Sequence, residues 1–156
     1  MVVGYVIGIR TIPKFISQPK ALMISALLGL LFTLMAILIP ASLPMNIPFI
    51  DLSNFSIIHL TVPTSVVCIA LLGIANALVW PAIWPLAIDG LGKHTETASA
   101  LLIMAIVGGA LLPKLYGMLA ESSIGYRSAY WIMVPCYLFI GWYSLSGHKR
   151  KSWKSA

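Results

Sequence analysis

Four long apolar stretches dominate the chain, set apart by short polar or proline-bearing connectors. Residues 21–43 carry no charge and close on Pro40 and Pro44. Residues 63–88 are again uncharged and are interrupted by Pro81 and Pro85. Residues 98–119 hold the pair Gly108-Gly109, then Pro113 and Lys114, and residues 128–146 form the fourth stretch. A helix needs about 20 apolar residues to cross the hydrocarbon of a bilayer, so each stretch predicts a transmembrane helix. The opening run 2–9 is apolar but too short to span, and it ends in Arg10. It reads as the last turns of a membrane helix whose beginning is missing, with Gly4 and Gly8 at a spacing that suits close helix approach. Residues 44–62 predict a polar-leaning loop with Pro48, Asp51, Asn54 and His59. In the connector 89–97, Thr95 or Thr97 is placed to cap the next helix. Residues 121–127 predict a turn, and 147–156 a basic tail.

Composition turns this pattern into a class. Of the 156 residues, 60% are hydrophobic and 9% charged, with a mean hydropathy of +0.96. A chain of this size cannot hide so much apolar surface in a water-soluble core. The fold class expected is therefore an all-α membrane protein, a single membrane domain over 1–156 with about four transmembrane helices plus a partial one. The partner implied at once is the lipid bilayer.

The net charge of +6 comes from ten Lys and Arg that are clustered. In a four-span arrangement Arg10, Lys14, Lys20, Lys93, Lys149, Arg150, Lys151 and Lys154 fall on one side. Only Arg127 falls clearly on the other. Basic loops stay in the cytoplasm, so 10–20, 89–97 and the C-terminus are expected there, in a cell inner membrane or plasma membrane. Lys and Arg that set topology are no signal of nucleic acid. Cys68 and Cys136 lie within apolar runs and read as small buried hydrophobes.

The densest candidate for chemistry is the second stretch, where Asn76, Trp80 and Trp84 recur every four residues beside Pro81 and Pro85. That spacing puts them roughly on one helical face. An amide offers donors and an acceptor to sugar hydroxyls, and an indole stacks on the apolar face of a pyranose. Asn76 and Trp80 are the candidate substrate-binding residues. The competing readings are a helix-to-helix hydrogen bond for Asn76 and an interfacial belt for Trp84. Lys114 is the one charge inside a span. It is a minor candidate for function, with a stem able to snorkel to the nearby boundary. Gly108, Gly109 and Gly117 suit helix packing. Asp89 and Glu96 read as solvated, or as paired with Lys93 and Arg10. His59, His94 and His148 sit on different loops. No metal-ligand spacing, nucleophile elbow or phosphate loop is present, so the sequence predicts neither an enzyme nor a cofactor.

The order of short motifs over 73–117 carries a resemblance. Gly73-x-x-Asn76-x-x-x-Trp80-Pro81 is followed by Gly90-Leu-Gly-x-x-Thr-x-x-x-Ser99. Then come 105–113, Ala-Ile-Val-Gly-Gly-Ala-Leu-Leu-Pro, and Tyr116-Gly117. Together they resemble the fucose/galactose/glucose–proton symporter family of the major facilitator superfamily. They are closer to its glucose/galactose transporters than to the L-fucose permease, which has Gln-Tyr-Pro where this chain has Val-Trp-Pro. The Gly-x-x-x-Gly-x-Arg10 opening and its basic loop are similar to the family's cytoplasmic loop between helices eight and nine. The resemblance implies that the four spans are helices nine to twelve, the end of the C-terminal half of a twelve-helix transporter. It further implies a hexose as substrate, protons as the coupling ion, and an N-terminal half, missing here, that holds the proton-coupling carboxylates. On the family pattern Asn76 and Trp80 face the sugar. Lys114 and the long 44–62 connector depart from that pattern. The alternative is a small self-contained membrane protein acting as an oligomeric or accessory subunit.

Overall fold

The computed structural model describes residues 5, 6, 8, 10, 12, 15–40, 43–51 and 56–149. Most of the opening run 2–9, Lys14, and the tail from Arg150 onward lie outside the described residues.

Helix α1 covers Gln18–Leu38. Pro19 sits in its first turn, where a missing N–H costs no hydrogen bond. The helix stops at Leu38 because Pro40 drives the residue before it out of the helical region. Ile39 is accordingly extended, with φ −69° and ψ 126°. The buried positions of α1 are Ala21, Leu22, Ser25, Ala26, Gly29, Thr33 and Ala36, a stripe of mostly small side chains at intervals of three and four. Small residues let membrane helices approach closely, and α1 packs against three other helices along this stripe.

The connector 44–62 is not a loop. Pro44–Asp51 (β1) and Ser56–Pro63 (β2) form an antiparallel hairpin, in register from Pro44↔Pro63 to Asp51↔Ser56. Its signal was the alternation of Ile47 and Phe49 with Asn46 and Pro48, a strand period of two. Three prolines masked it, because proline is compatible with a strand only at an edge. In a two-stranded hairpin both strands are edges, so they are tolerated.

β2 runs directly into α2, Thr64–Ala77. A single turn residue, Leu78, separates α2 from α3, Val79–Ile88. Pro81 explains the break, since it has no N–H for the Ala77 carbonyl and its ring crowds that carbonyl. Beyond a turn at Gly90 (φ 78°) comes a 3-10 turn, Gly92–His94, and then α4, Thr95–Met104. No side chain caps α4. The Thr95 hydroxyl instead donates to the Gly92 carbonyl at 2.7 Å. A second 3-10 turn, Ala105–Val107, leads into α5, Gly108–Glu121. The last expected span is built from α6, Gly125–Ser128, a 3-10 turn Ala129–Ile132, and α7, Met133–Leu145. Pro135 leaves the Trp131 carbonyl without its helical donor, which fits the tightened turn just before it.

The chain is thus a helical membrane protein. Among the described residues, three segments are long and apolar enough to cross a bilayer: Gln18–Leu38, Thr64–Ile88 and Gly92–Glu121, with mean hydropathies of 2.5, 2.3 and 1.9. The segment from α6 to α7, expected as the fourth span, is not among them. α1 is the hub of the fold, touching α2, α3 and α7. At one end Ile12, Ala21, Leu22 and Ala82 form a buried cluster, flanked by Leu78, Val79, Ile140 and Tyr143. A Cβ on Gly8 would come within 2.7 Å of Leu78, so the short N-terminal helical stretch does pack closely through that glycine. Among the described residues, nothing lies within 4 Å of a Cβ built on Gly108, Gly109 or Gly117. At the opposite end Arg127 donates from one guanidinium nitrogen to the carbonyls of Ile37 and Ile39. A cation there satisfies carbonyls that the end of α1 leaves unpaired and offsets its negative pole. Arg127, on the side away from the basic loops, therefore has a structural task.

Candidate functional site

The turn residue Leu78 lies between the candidate residues. Asn76 ends α2, and Trp80 and Trp84 belong to α3. Leu78 keeps helical angles, φ −86° and ψ −17°, so the helical path runs on through it, yet the three side chains line two different cavities.

Trp80 and Trp84 stay together. Their rings are 5.3 Å apart and tilted by 49°. With Pro81, Pro85, Tyr5 and Ile103 they line an open cleft of about 400 Å³. Pro85 sits inside α3 and cannot bond the Pro81 carbonyl, which leaves a backbone acceptor beside the two indoles. Trp80 is 43% exposed, so one face of its indole is free to stack. Tyr5 could not be found from the sequence, because it lies on a run too short to place.

Asn76 lines a second cavity, also about 400 Å³, enclosed by α2, α5 and α7 and by the 3-10 turn before α7. Its walls are mainly apolar, from Leu112, Pro113, Ile132, Met133 and Ile140, and its polar groups come from Asn76 and three tyrosines, Tyr116, Tyr130 and Tyr137. The Tyr137 hydroxyl donates to Asn76 Oδ1 at 3.0 Å. Tyr137 is held by a close seat on α1, since a Cβ on Gly29 would lie 2.1 Å from its ring. The Gly29 carbonyl accepts the Thr33 hydroxyl at 2.7 Å. Gly29, Tyr137 and Asn76 thus tie α1, α7 and α2 at one level. Tyr116 and Tyr130 stack at 4.7 Å, and the Tyr116 hydroxyl donates to the Tyr126 carbonyl at 3.2 Å. Sequence reasoning missed Tyr137. Its one signal was an uncompensated glycine in the middle of the first span, where only a neighbour needing the space justifies the helix cost.

Lys114 follows Pro113 on α5 and is exposed; it does not line the Asn76 cavity. Cys68 is buried and Cys136 half-buried, both free thiols, with Cys136 Sγ 3.5 Å from the Ile132 carbonyl. Among the described residues, no three His, Cys, Asp or Glu come together.

Known proteins carry the resemblance independently. The chain is 42% identical over 78 residues to the glucose/galactose transporter of Brucella abortus, a stretch that is 50% of this chain and 19% of that protein. It is 41% identical over 54 residues to the L-fucose-proton symporter of Haemophilus influenzae, 35% of this chain and 13% of the symporter. No family model matches the chain, and no solved structure does. The chain matches only about a fifth of the length of the glucose/galactose transporter and less of the symporter. Within that span it has its homologues among sugar transporters and symporters, as the motifs of 73–117 implied.

Proposed function

We propose that the chain is the C-terminal part of a secondary active sugar transporter that moves a hexose together with protons by alternating access. The observation that carries this reading is the 42% identity to a glucose/galactose transporter over half the chain. Transporters of this kind rock two halves about a site near the midplane. In that setting the Trp80–Trp84 cleft supplies an exposed indole for the apolar face of the sugar. The backbone acceptor freed by Pro85 lies beside it for a hydroxyl. Asn76 has its acceptor engaged by Tyr137 and offers its amide N–H groups.

The test is sugar binding by calorimetry in the transporter that carries this segment, beside a melting curve for each variant. A lost stacking or hydrogen-bonding partner costs about 1–3 kcal/mol, or roughly ten- to a hundred-fold in affinity. Trp80→Ala and Asn76→Ala should weaken hexose binding by that order, and Trp84→Ala by less. A second reading has its own observation, the hydrogen bond from Tyr137 to Asn76. If Asn76 only ties α2 to α7, Asn76→Ala lowers the melting temperature and leaves affinity unchanged. Unchanged affinity in Trp80→Ala removes the cleft from the sugar site.

The basic loops 10–20 and 89–97 and the C-terminal tail face the cytoplasm of the cell inner membrane in this proposal, with the hairpin outside and the α6–α7 segment as the fourth crossing. Single cysteines at Ser53 and Ser155 report it in intact cells. An impermeant thiol reagent should label the first and spare the second, and the reverse pattern would invert the topology.

A further inference from the structure

The hairpin that replaced the expected loop has two unlike faces. Its register places Met45, Ile47, Phe49, Ile58, Leu60 and Val62 on one of them, with Ser56 at the turn end. The opposite face carries Pro44, Asn46, Pro48, His59, Thr61 and Pro63, with Ile57 at the turn end. On that opposite face the Thr61 hydroxyl donates to Asn46 Oδ1 at 2.8 Å, a polar cross-strand pair turned to water. A free loop needs no such sorting.

The apolar face is held in one direction. Thr64, the first residue of α2, gives both its N–H (3.1 Å) and its hydroxyl (2.7 Å) to the Leu43 carbonyl, closing the base of the hairpin. Beyond that closure Ile47, Phe49, Leu60 and Val62 share an apolar cavity of about 190 Å³ with Val66, Val67 and Ala70 of α2. Phe49 is near the hairpin tip and Ala70 nearly two turns into α2, so the hairpin leans over the apolar flank of a membrane-crossing helix. α2 covers this face only in part. Phe49 remains 54% exposed and Leu60 44%.

We propose that the hairpin is an interfacial membrane anchor, whose apolar face rests on lipid at the boundary between headgroups and acyl chains. The face is continuous with the exposed apolar flank of α2, a helix apolar enough to cross a bilayer, which points to lipid as its occupant. Depth is limited by the backbone. A two-stranded hairpin leaves outward N–H and C=O groups unpaired on both edges, which the hydrocarbon core does not tolerate and the wet headgroup layer does. The proposal depends on the membrane span of α2 and is independent of the sugar reading.

The whole chain, with Cys68 and Cys136 replaced by alanine, is reconstituted in phosphatidylcholine nanodiscs. Nitroxide labels are placed one at a time at Ile47, Phe49 and Leu60, and at Asn46, His59 and Thr61. Collision with oxygen, which partitions into lipid, is compared with collision with a water-soluble nickel chelate. The oxygen-to-nickel ratio should alternate with a period of two and be several-fold higher at the first three sites. Equal ratios on both faces would overturn the proposal in favour of a solvated hairpin. Exclusion of both reagents from Ile47 and Phe49 would also overturn it, in favour of a second copy of the chain as cover. The pattern across six sites keeps the result readable if one variant fails to fold.

Discussion

Helix α1 and the segment Gly92–Glu121 are both apolar enough to cross a bilayer, yet the first buries seven of its residues against protein and the second one, Ala120. Hydropathy separates them little, at 2.5 and 1.9. It reports which solvent a segment needs and says nothing of which face meets another helix. Lipid tails are as apolar as leucine, so helices in a bilayer associate by close fit and not by greasiness. α1 has that fit in its stripe of Ala21, Ser25, Ala26, Gly29, Thr33 and Ala36, and three helices use it. The segment Gly92–Glu121 has small residues too, at Gly108, Gly109 and Gly117, but among the described residues nothing lies within 4 Å of a Cβ built on them. On the proposed reading, that bare face is where the remaining helices of the transporter would dock.

One substitution made in both regions sharpens the contrast. Gly29→Ala puts a methyl group 2.1 Å from the Tyr137 ring, which Asn76 holds by its hydroxyl. Overpacking of this kind costs about 1–3 kcal/mol, reduced by the helix preference for alanine of about 0.5–1 kcal/mol. The detergent melting temperature should fall. Arg127→Gln loses the charged donor to the Ile37 and Ile39 carbonyls, and hydrogen bonds from charged groups are worth about 1.5–3 kcal/mol in buried settings. Half-buried as Arg127 is, with glutamine keeping one weaker donor, the loss should be smaller than for Gly29→Ala. Gly117→Ala meets nothing and should leave the melting temperature unchanged or raise it slightly. A fall at Gly117 equal to that at Gly29 would erase the distinction between the two regions.

Much of the fold was legible in the sequence, for definite reasons. Apolar runs of some 20 residues located α1, the α2–α3 pair and the α4–α5 segment. The end of α1 at Leu38 follows from Pro40. What escaped were features set by backbone hydrogen bonds and by neighbours distant in sequence. The hairpin was hidden because its prolines read as loop signals, whereas both of its strands are edges. The candidate site was half legible. The pairing of Trp80 with Trp84 was visible as a four-residue spacing within α3. The same spacing suggested that Asn76 shares their face, whereas Asn76 lines a different cavity. Tyr137 sits 61 residues from the Asn76 it contacts, and no local pattern joins them.

Uptake of labelled hexose tests the central claim most directly. Two sealed-vesicle preparations are compared under an inward proton gradient. One holds this chain alone, and the other holds a chimera in which it replaces the matching segment of the Brucella abortus glucose/galactose transporter. Alternating access needs two halves around one site, so the chain alone should take up nothing. The chimera should accumulate glucose or galactose, lose that activity with an uncoupler, and lose most of it with Trp80→Ala. Gradient-driven uptake by the chain alone, or a well-inserted chimera that binds no hexose, would contradict the account.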